Sequence, residues 1–419
     1  MINSTIAASG LTKIKAFFQS KAPTCVHEPD GMLKYRFATP SFAVKAGADD
    51  NSGLPERSRT GHYLQMYDWD ACFFSQAAPR INVHGLSADV VANFLSLKDA
   101  EGHVPRTISP QRIWDAGDEC KPFLCQTLLH QIKEQNAAAD GKKTFPSFIE
   151  DLDCYLQYYI RHRKSANGLF RWRNVLESGV DDNLALIAPR EAAKDEDDSV
   201  SKFPDGELLA VDLSAYLVGE FRAFAELCKL HGKPDLATQY EKYASGTMKA
   251  IDEHCWNEKI GMYCNVYPKD GSQVVIRAWT GLVPALLGFA KQERIEQVIK
   301  TNIVSSEHFL RPAGIASVAA SEPLYNNAVR GMYGRAIVSN WQGPVWVLTN
   351  AFVVRCLVKN GFKKEAQDVA ARMLNTLHAD IEKNGTLHEN YHAETGQALW
   401  APDFMSWNIL ALELVEVLE

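Results

Sequence analysis

A mostly α-helical chain built from repeated helical hairpins is what this sequence predicts, and three observations carry the expectation. Apolar residues recur at three- and four-residue steps through five long segments. Period-two alternation is scarce, so strands should be few, short and confined to loops. A glycine followed by two mostly apolar residues also returns at Gly102, Gly168, Gly261 and Gly385, where helices should end.

Residues 1–60 read as an irregular, polar lead-in, and Ala46–Ser58 is its most loop-like stretch. In 147–162, Ile149, Leu152, Leu156 and Tyr159 mark one helical face. In 210–229, Leu213, Leu217, Phe221, Phe224 and Leu227 do the same, with a stop at His231-Gly232 and Pro234 beyond. Pro344 is expected to open a helix through Val345, Leu348, Phe352 and Cys356. The stretch 363–382 should form a helix ending at Asn384-Gly385, and 405–418 another. About twelve helices would use roughly 35 residues each with their loops, which suits a single barrel domain over 1–419.

Composition narrows the function. Of 419 residues, 44 are Lys or Arg and 51 are Asp or Glu, a formal charge of 44 − 51 = −7. With 46% hydrophobic residues the chain is a globular type rather than a disordered one. An acidic chain without basic runs is a poor match for nucleic acid, and no apolar run reaches the ~18 residues of a membrane span. The nine scattered cysteines (25, 72, 120, 125, 154, 228, 255, 264, 356) include no CxxC pair, so free buried thiols in a reducing cytoplasm are expected. The first residues show no signal-peptide pattern. His62, His103 and His388 lack ligand spacing, so no catalytic metal and no cofactor are expected, while a structural calcium on acidic loops stays open. Oligomeric state is not legible.

Chemistry concentrates in four segments far apart in the chain. They are Tyr67-Asp68-Trp69-Asp70, Glu177 to Asn183, Asn340 to Trp346, and Leu387 to Gly396. Aromatic faces beside carboxylates and amides suit a sugar, whose C–H face stacks on Trp or Tyr while its hydroxyls need hydrogen-bond partners. Glycoside hydrolysis adds a demand for two carboxyl groups, one protonated and one ionised. Asp181 and Glu389 are plausible partners, with Asp182 and Glu177 as rival acids.

These segments are similar to those of glycoside hydrolase family 63 and its relatives, the trehalases of family 37. Glu177-Ser178-Gly179-Val180-Asp181 resembles the general-acid segment, and His388-Glu389-Asn390-Tyr391 the general-base segment. Trp341 to Trp346 resembles a Trp-Arg-Gly-Pro-x-Trp segment with Gln342 in place of Arg, and Trp69-Asp70 resembles a sugar-contacting Trp-Asp pair. The resemblance implies an (α/α)6 barrel and hydrolysis of an α-glycosidic bond with inversion. It implies Asp181 as general acid and Glu389 as general base, and it points to compact hydrolases of mannosyl- or glucosylglycerate. Tyr67, Trp69, Asp70, Trp341, Gln342, Gly343 and Tyr391 then become candidate sugar contacts.

A glycerate aglycone would need a carboxylate receptor, for which Arg106, Gln111 and Arg190 are candidates. Each residue also has a plainer reading. Asp181 could cap a helix, Asp182 could cap a helix or hold a neighbouring amide, Glu177 could orient its loop, and Trp346 fits core packing. Lys194–Asp198 reads as a solvated loop or a mobile lid. The alternatives to a glycerate-conjugate hydrolase are a trehalase-like enzyme on a short α-glycoside and a carbohydrate-binding protein without catalysis.

Overall fold

The computed structural model describes residues 6–42, 63–137, 148–191, 208–328, 330–332, 335–337 and 339–419. Ala46–Ser58 and Lys194–Asp198 lie outside the described residues. Among the described residues are thirteen α-helices, and the strands form antiparallel pairs and one three-stranded antiparallel sheet in the connections. The architecture is an (α/α)6 barrel.

The inner ring can be followed by packing. Asp68–Ala77 packs on Leu124–Ala137, which packs on Val211–Leu230, which packs on the short helix Val283–Leu286. Val283–Leu286 packs on Val347–Lys359, which meets the 3-10 turn Ser406–Leu410 and its continuation Ala411–Leu418. Ser406–Leu410 returns to Asp68–Ala77 and closes the circle. Leu86–Ser96, Ile149–His162, Pro234–Ala250, Gln292–Val298, Lys363–Asn384 and Ala8–Lys21 form the outer layer.

Inner helices have neighbours all round, so they bury polar residues in addition to an apolar face. Val211–Leu230 buries Asp212, Ser214 and Glu220 along with its apolar residues. Glu220 reaches the start of the next inner helix, where its carboxylate accepts from Cys125 N at 2.6 Å and Gln126 N at 3.2 Å. Those amides are orphan donors of the first turn, so a buried acid there stabilises the helix end.

Several expectations need correction. Residues 1–60 are not uniformly irregular: Ala8–Lys21 is a helix with Ile14 and Phe18 fully buried, and it packs on Lys363–Asn384. Leu11, Ile14 and Phe18 are spaced by three and four, a short stripe masked by the polar residues around it. Pro344 does not open a helix, because Val345 is extended and exchanges backbone bonds with Tyr391 at 2.8 and 3.1 Å. The helix begins at Val347 with extended Trp346 as its cap. The segment 405–418 starts as a 3-10 turn, Ser406–Leu410, before becoming α-helical at Ala411–Leu418.

The recurrent glycines all have positive φ: 95° at Gly102, 91° at Gly168, 62° at Gly261 and 70° at Gly385. Gly385 is a helix C-cap, whereas the other three lie in turns farther on. All nine cysteines are free thiols, eight of them buried. No helix among the described residues is long and apolar enough to cross a membrane.

Removing the Phe18 ring should leave a cavity between the first helix and Lys363–Asn384. Phe18→Ala is expected to destabilise the chain by about 3–5 kcal/mol, read by denaturant unfolding.

Candidate active site

The site begins at the ring closure. Asp68 opens an inner helix, its Oδ1 accepting from Trp69 N at 2.8 Å. The same carboxylate takes Lys121 Nζ at 3.1 Å and lies 3.7 Å from Arg106 Nε. Two residues on, Asp70 is buried and accepts from Ser406 Oγ at 2.6 Å. That bond joins the first inner helix to the last. Burial pushes the Asp70 carboxyl up to about 7, against the Ser406 hydrogen bond, which lowers it.

The acid segment follows Arg163–Arg173 and is anchored at its start by Glu177. This buried carboxylate accepts from Arg163 Nη2 at 2.8 Å and from the backbone of Glu119 at 2.9 Å. Arg106 donates to the Leu176 carbonyl one residue earlier. Gly179 has φ +73°, and a Cβ there would lie 2.7 Å from Lys121 Cε and 2.8 Å from Trp69 Cζ2. Glycine is therefore required twice, for the left-handed turn and for the close approach of Trp69. Asp181 follows in a half-buried turn. Asn183 turns its side chain onto the start of the next helix, accepting from Ala185 N at 3.0 Å.

The strap 339–346 crosses from this loop to the base segment. Trp341 N donates to Asp182 Oδ1 at 2.6 Å, and Gln342 Nε2 donates to the Asp182 carbonyl at 3.2 Å. Two residues earlier, Ser339 Oγ donates to Glu389 Oε1 at 3.0 Å, and Tyr63 OH donates to the same oxygen at 2.8 Å. Two residues of chain span at most about 7 Å. The strap thus brings the segments of Asp181 and Glu389, two hundred residues apart in sequence, to one place.

Aromatic rings fill the space beside them. Trp341 stacks on Trp346 at 3.7 Å and 5°, and Trp69, Trp279 and Trp407 all lie within 6.3 Å of its centre. The buried indole N–H groups of Trp279, Trp341 and Trp407 have no hydrogen-bond partner among the described residues. Neither side-chain polar atom of buried Asn390, next to Glu389, has one.

The other candidates fall in different places. Tyr67 is buried with its hydroxyl on Gln65 Oε1 at 2.9 Å. Gln342 is buried in the strap, as above. Gly343 lies against the Asn326 backbone, where a Cβ would meet its carbonyl at 2.6 Å, so its place is close packing. Tyr391 is turned away from the strap, its hydroxyl donating to Asp380 Oδ2 at 2.9 Å and accepting from His388 N at 2.9 Å. That arrangement fixes the base loop and leaves Tyr391 fully buried. Arg106 is engaged with Asp68 and the Leu176 carbonyl, and Gln111 is exposed at the tip of the 105–119 hairpin. Arg190 falls in the helix Leu184–Glu191, its side chain outside the described residues.

Sequence reasoning missed Tyr63, Lys121, Ser339, Ser406, Trp279 and Trp407. Tyr63 and Ser406 each reach a carboxylate more than three hundred residues away, a relation no local pattern encodes. No group of three or more His, Cys, Asp or Glu among the described residues is arranged to hold a metal ion.

This barrel and its loops define a glycoside hydrolase. The family model of the mannosylglycerate hydrolase MGH1-like glycoside hydrolase domain matches residues 63–407, and the chain belongs to that family. The structure is similar to a mannosylglycerate hydrolase of family 63 from Thermus thermophilus in complex with glucose, at TM-score 0.65 and 18% identity over 97% of this chain and 99% of that one. It is also similar to the neutral trehalase of Saccharomyces cerevisiae, at TM-score 0.61 and 14% identity over 84% and 72% of the chains. In sequence it is 21% identical over 377 residues to a periplasmic trehalase of Escherichia coli, which covers 80% of this chain and 62% of that protein. The chain thus spans about three fifths of the length of that relative.

The anchoring groups can be tested directly. Asp70 is held up at about 7 when folded, whereas an unfolded Asp titrates near 4. Between those values the folded state binds the extra proton, so stability falls as pH rises from about 4 to about 7 and is level above. Asp70→Asn should flatten that part of a melting-temperature profile. Gly179→Ala should keep the helical circular dichroism spectrum while lowering kcat by at least about tenfold, because the acid turn must move off Trp69 and Lys121.

Proposed function

We propose that the chain is an inverting α-glycosidase in which Asp181 is the general acid and Glu389 the general base. The observation that carries the reading is the strap: Asp182 is bound by Trp341 N and Glu389 by Ser339 Oγ, on one short piece of backbone. Asp181 gives its proton to the glycosidic oxygen as the bond to the anomeric carbon breaks. Glu389 takes a proton from the water that attacks that carbon from the opposite face. Inversion needs room for this water, and carboxyl groups about 6.5–9.5 Å apart provide it. Two hydroxyl donors on one Glu389 oxygen suit an ionised carboxylate, which is an acceptor at both oxygens.

The substrate assigned is a 2-O-α-glucosyl- or mannosylglycerate, released as hexose and glycerate. Family membership supports it, and so do the unpartnered indole N–H groups beside Asp70, which offer a sugar's hydroxyls donors and an acceptor. A trehalase-like reading has its own support in the resemblance to the Escherichia coli enzyme over 80% of this chain. The nine free thiols favour a reducing compartment such as the cytoplasm.

Asp181→Asn and Glu389→Gln should each reduce kcat by about 10²–10⁴-fold with the fold intact. Proton NMR early in the reaction should show the β-anomer of the released hexose. A first product in the α-configuration, or near-wild-type turnover by both variants, overturns the mechanism. A substrate panel that finds trehalose cleaved and both glycerate conjugates inert overturns the substrate but leaves the mechanism standing.

A further inference from the structure

Behind the acid segment lies a cavity of 510 Å³ that the proposed hydrolysis does not use. Three guanidinium groups reach it, Arg163, Arg171 and Arg173, together with His103, His162 and Tyr158. All three arginines belong to the turn after Ile149–His162, folded on itself by the bond from Arg171 N to the Arg163 carbonyl at 3.1 Å. Gly117 makes room for one of them: a Cβ there would lie 1.8 Å from Arg173 Nη1.

Acids stand beside these arginines and pair with Arg163 and Arg173, leaving Arg171 as the guanidinium without one among the described residues. Asp99 Oδ1 accepts from the backbone of Glu101 and His103, both at 2.9 Å, and so is turned into its own loop. Glu101 lies 3.5 Å from His162, and Asp118 is 3.7 Å from Arg173. Arg171 is exposed and has no ion-pair partner among the described residues. Arg163 gives Nη2 to Glu177, but its Nε is buried with no hydrogen-bond partner. Buried donors without partners have lost their water and gained nothing for it, a penalty that a ligand acceptor would remove.

The acid segment is the wall between this cavity and the tryptophans. Glu177 faces Arg163, whereas Gly179 lies on Trp69 and Asp182 on the strap. We propose that the cavity is a second ligand site, one that takes a small organic or inorganic anion, a carboxylate or a phosphate, on Arg163, Arg171 and Arg173. A planar guanidinium binds either group through two parallel N–H bonds, and three of them in one hollow give both affinity and orientation.

The test is calorimetry on the full chain with inorganic phosphate and, separately, D-glycerate, at low ionic strength where such attraction is least screened. The parent protein should bind at least one of them at a single site, and the tighter anion tells which chemistry the site serves. Binding should weaken at least tenfold in the Arg171→Ala/Arg173→Ala double variant and persist in Glu389→Gln. Arg171 is exposed and the Arg173 side chain is 40% exposed, so neither truncation opens the core, and an unchanged melting temperature verifies the fold. Absence of binding by both anions up to about 10 mM overturns the site. It is equally overturned if binding survives the double substitution, or if it disappears in Glu389→Gln, which would put the anion in the catalytic centre. The binding readout needs no turnover, so failure of the glycosidase assignment leaves it intact.

Discussion

One short strap of backbone governs this molecule. Trp341 N holds Asp182 and Ser339 Oγ holds Glu389, so the relative position of two distant loops is set by the geometry of residues 339–341. The strap is itself fixed on both sides. Trp341 stacks on Trp346, and Val345 pairs with Tyr391 in the base segment. A displacement of the strap would therefore move the acid and base loops together with the aromatic floor. Such coupling suits a glycosidase, in which two carboxyl groups must keep a set spacing about the glycosidic bond.

The barrel supplies what the strap cannot, a rigid frame that returns to its own beginning. Closure brings Ser406 onto Asp70, so a polar contact lies in the seam between the first and last inner helices. The seam is not optimised for stability alone. A buried Asp pushed up to about 7 is a group the fold keeps against its own tendency to be solvated. Glu220, also pushed up to about 7, has a different purpose, since it is engaged wholly with the start of a neighbouring helix. The two acids share an electrostatic condition and differ in their surroundings. Asp70 sits beside Trp69, near indole groups whose donors lack partners, and Glu220 sits among satisfied amides.

Much of this was legible in the sequence, and the part that was not has a physical reason. The long helices Val211–Leu230 and Lys363–Asn384 declare themselves through apolar periodicity and glycine stops, because those are local properties. The secondary roles of Glu177 and Asp182 were readable as well, one orienting its loop and the other holding a neighbouring amide. The start of the helix after Pro344 was misread because Val345 makes its bonds with Tyr391, far on in the sequence, a partner that propensity cannot see. The same limit hid Tyr63 and Ser406. The contacts of Tyr391 were hidden for a related reason: its hydroxyl donates to Asp380 on the preceding helix, a relation that the motif around Glu389 does not encode.

The loops of Asp181 and Glu389 are both held by contacts from distant parts of the chain. Glu389 is gripped directly, with two hydroxyls from separate parts of the chain on one of its own oxygens. The turn that carries Asp181 is held through its neighbours, by Glu177 on Arg163 and the Glu119 amide, by Gly179 against Trp69, and by Asp182 on the strap. Hydroxyl donors on a carboxylate stabilise its negative charge. The acid loop's supports also reach the arginine-lined cavity on its other face, where Arg163 is shared between Glu177 and open space. The stiffness of the acid turn thus depends on charges that stand outside the sugar site.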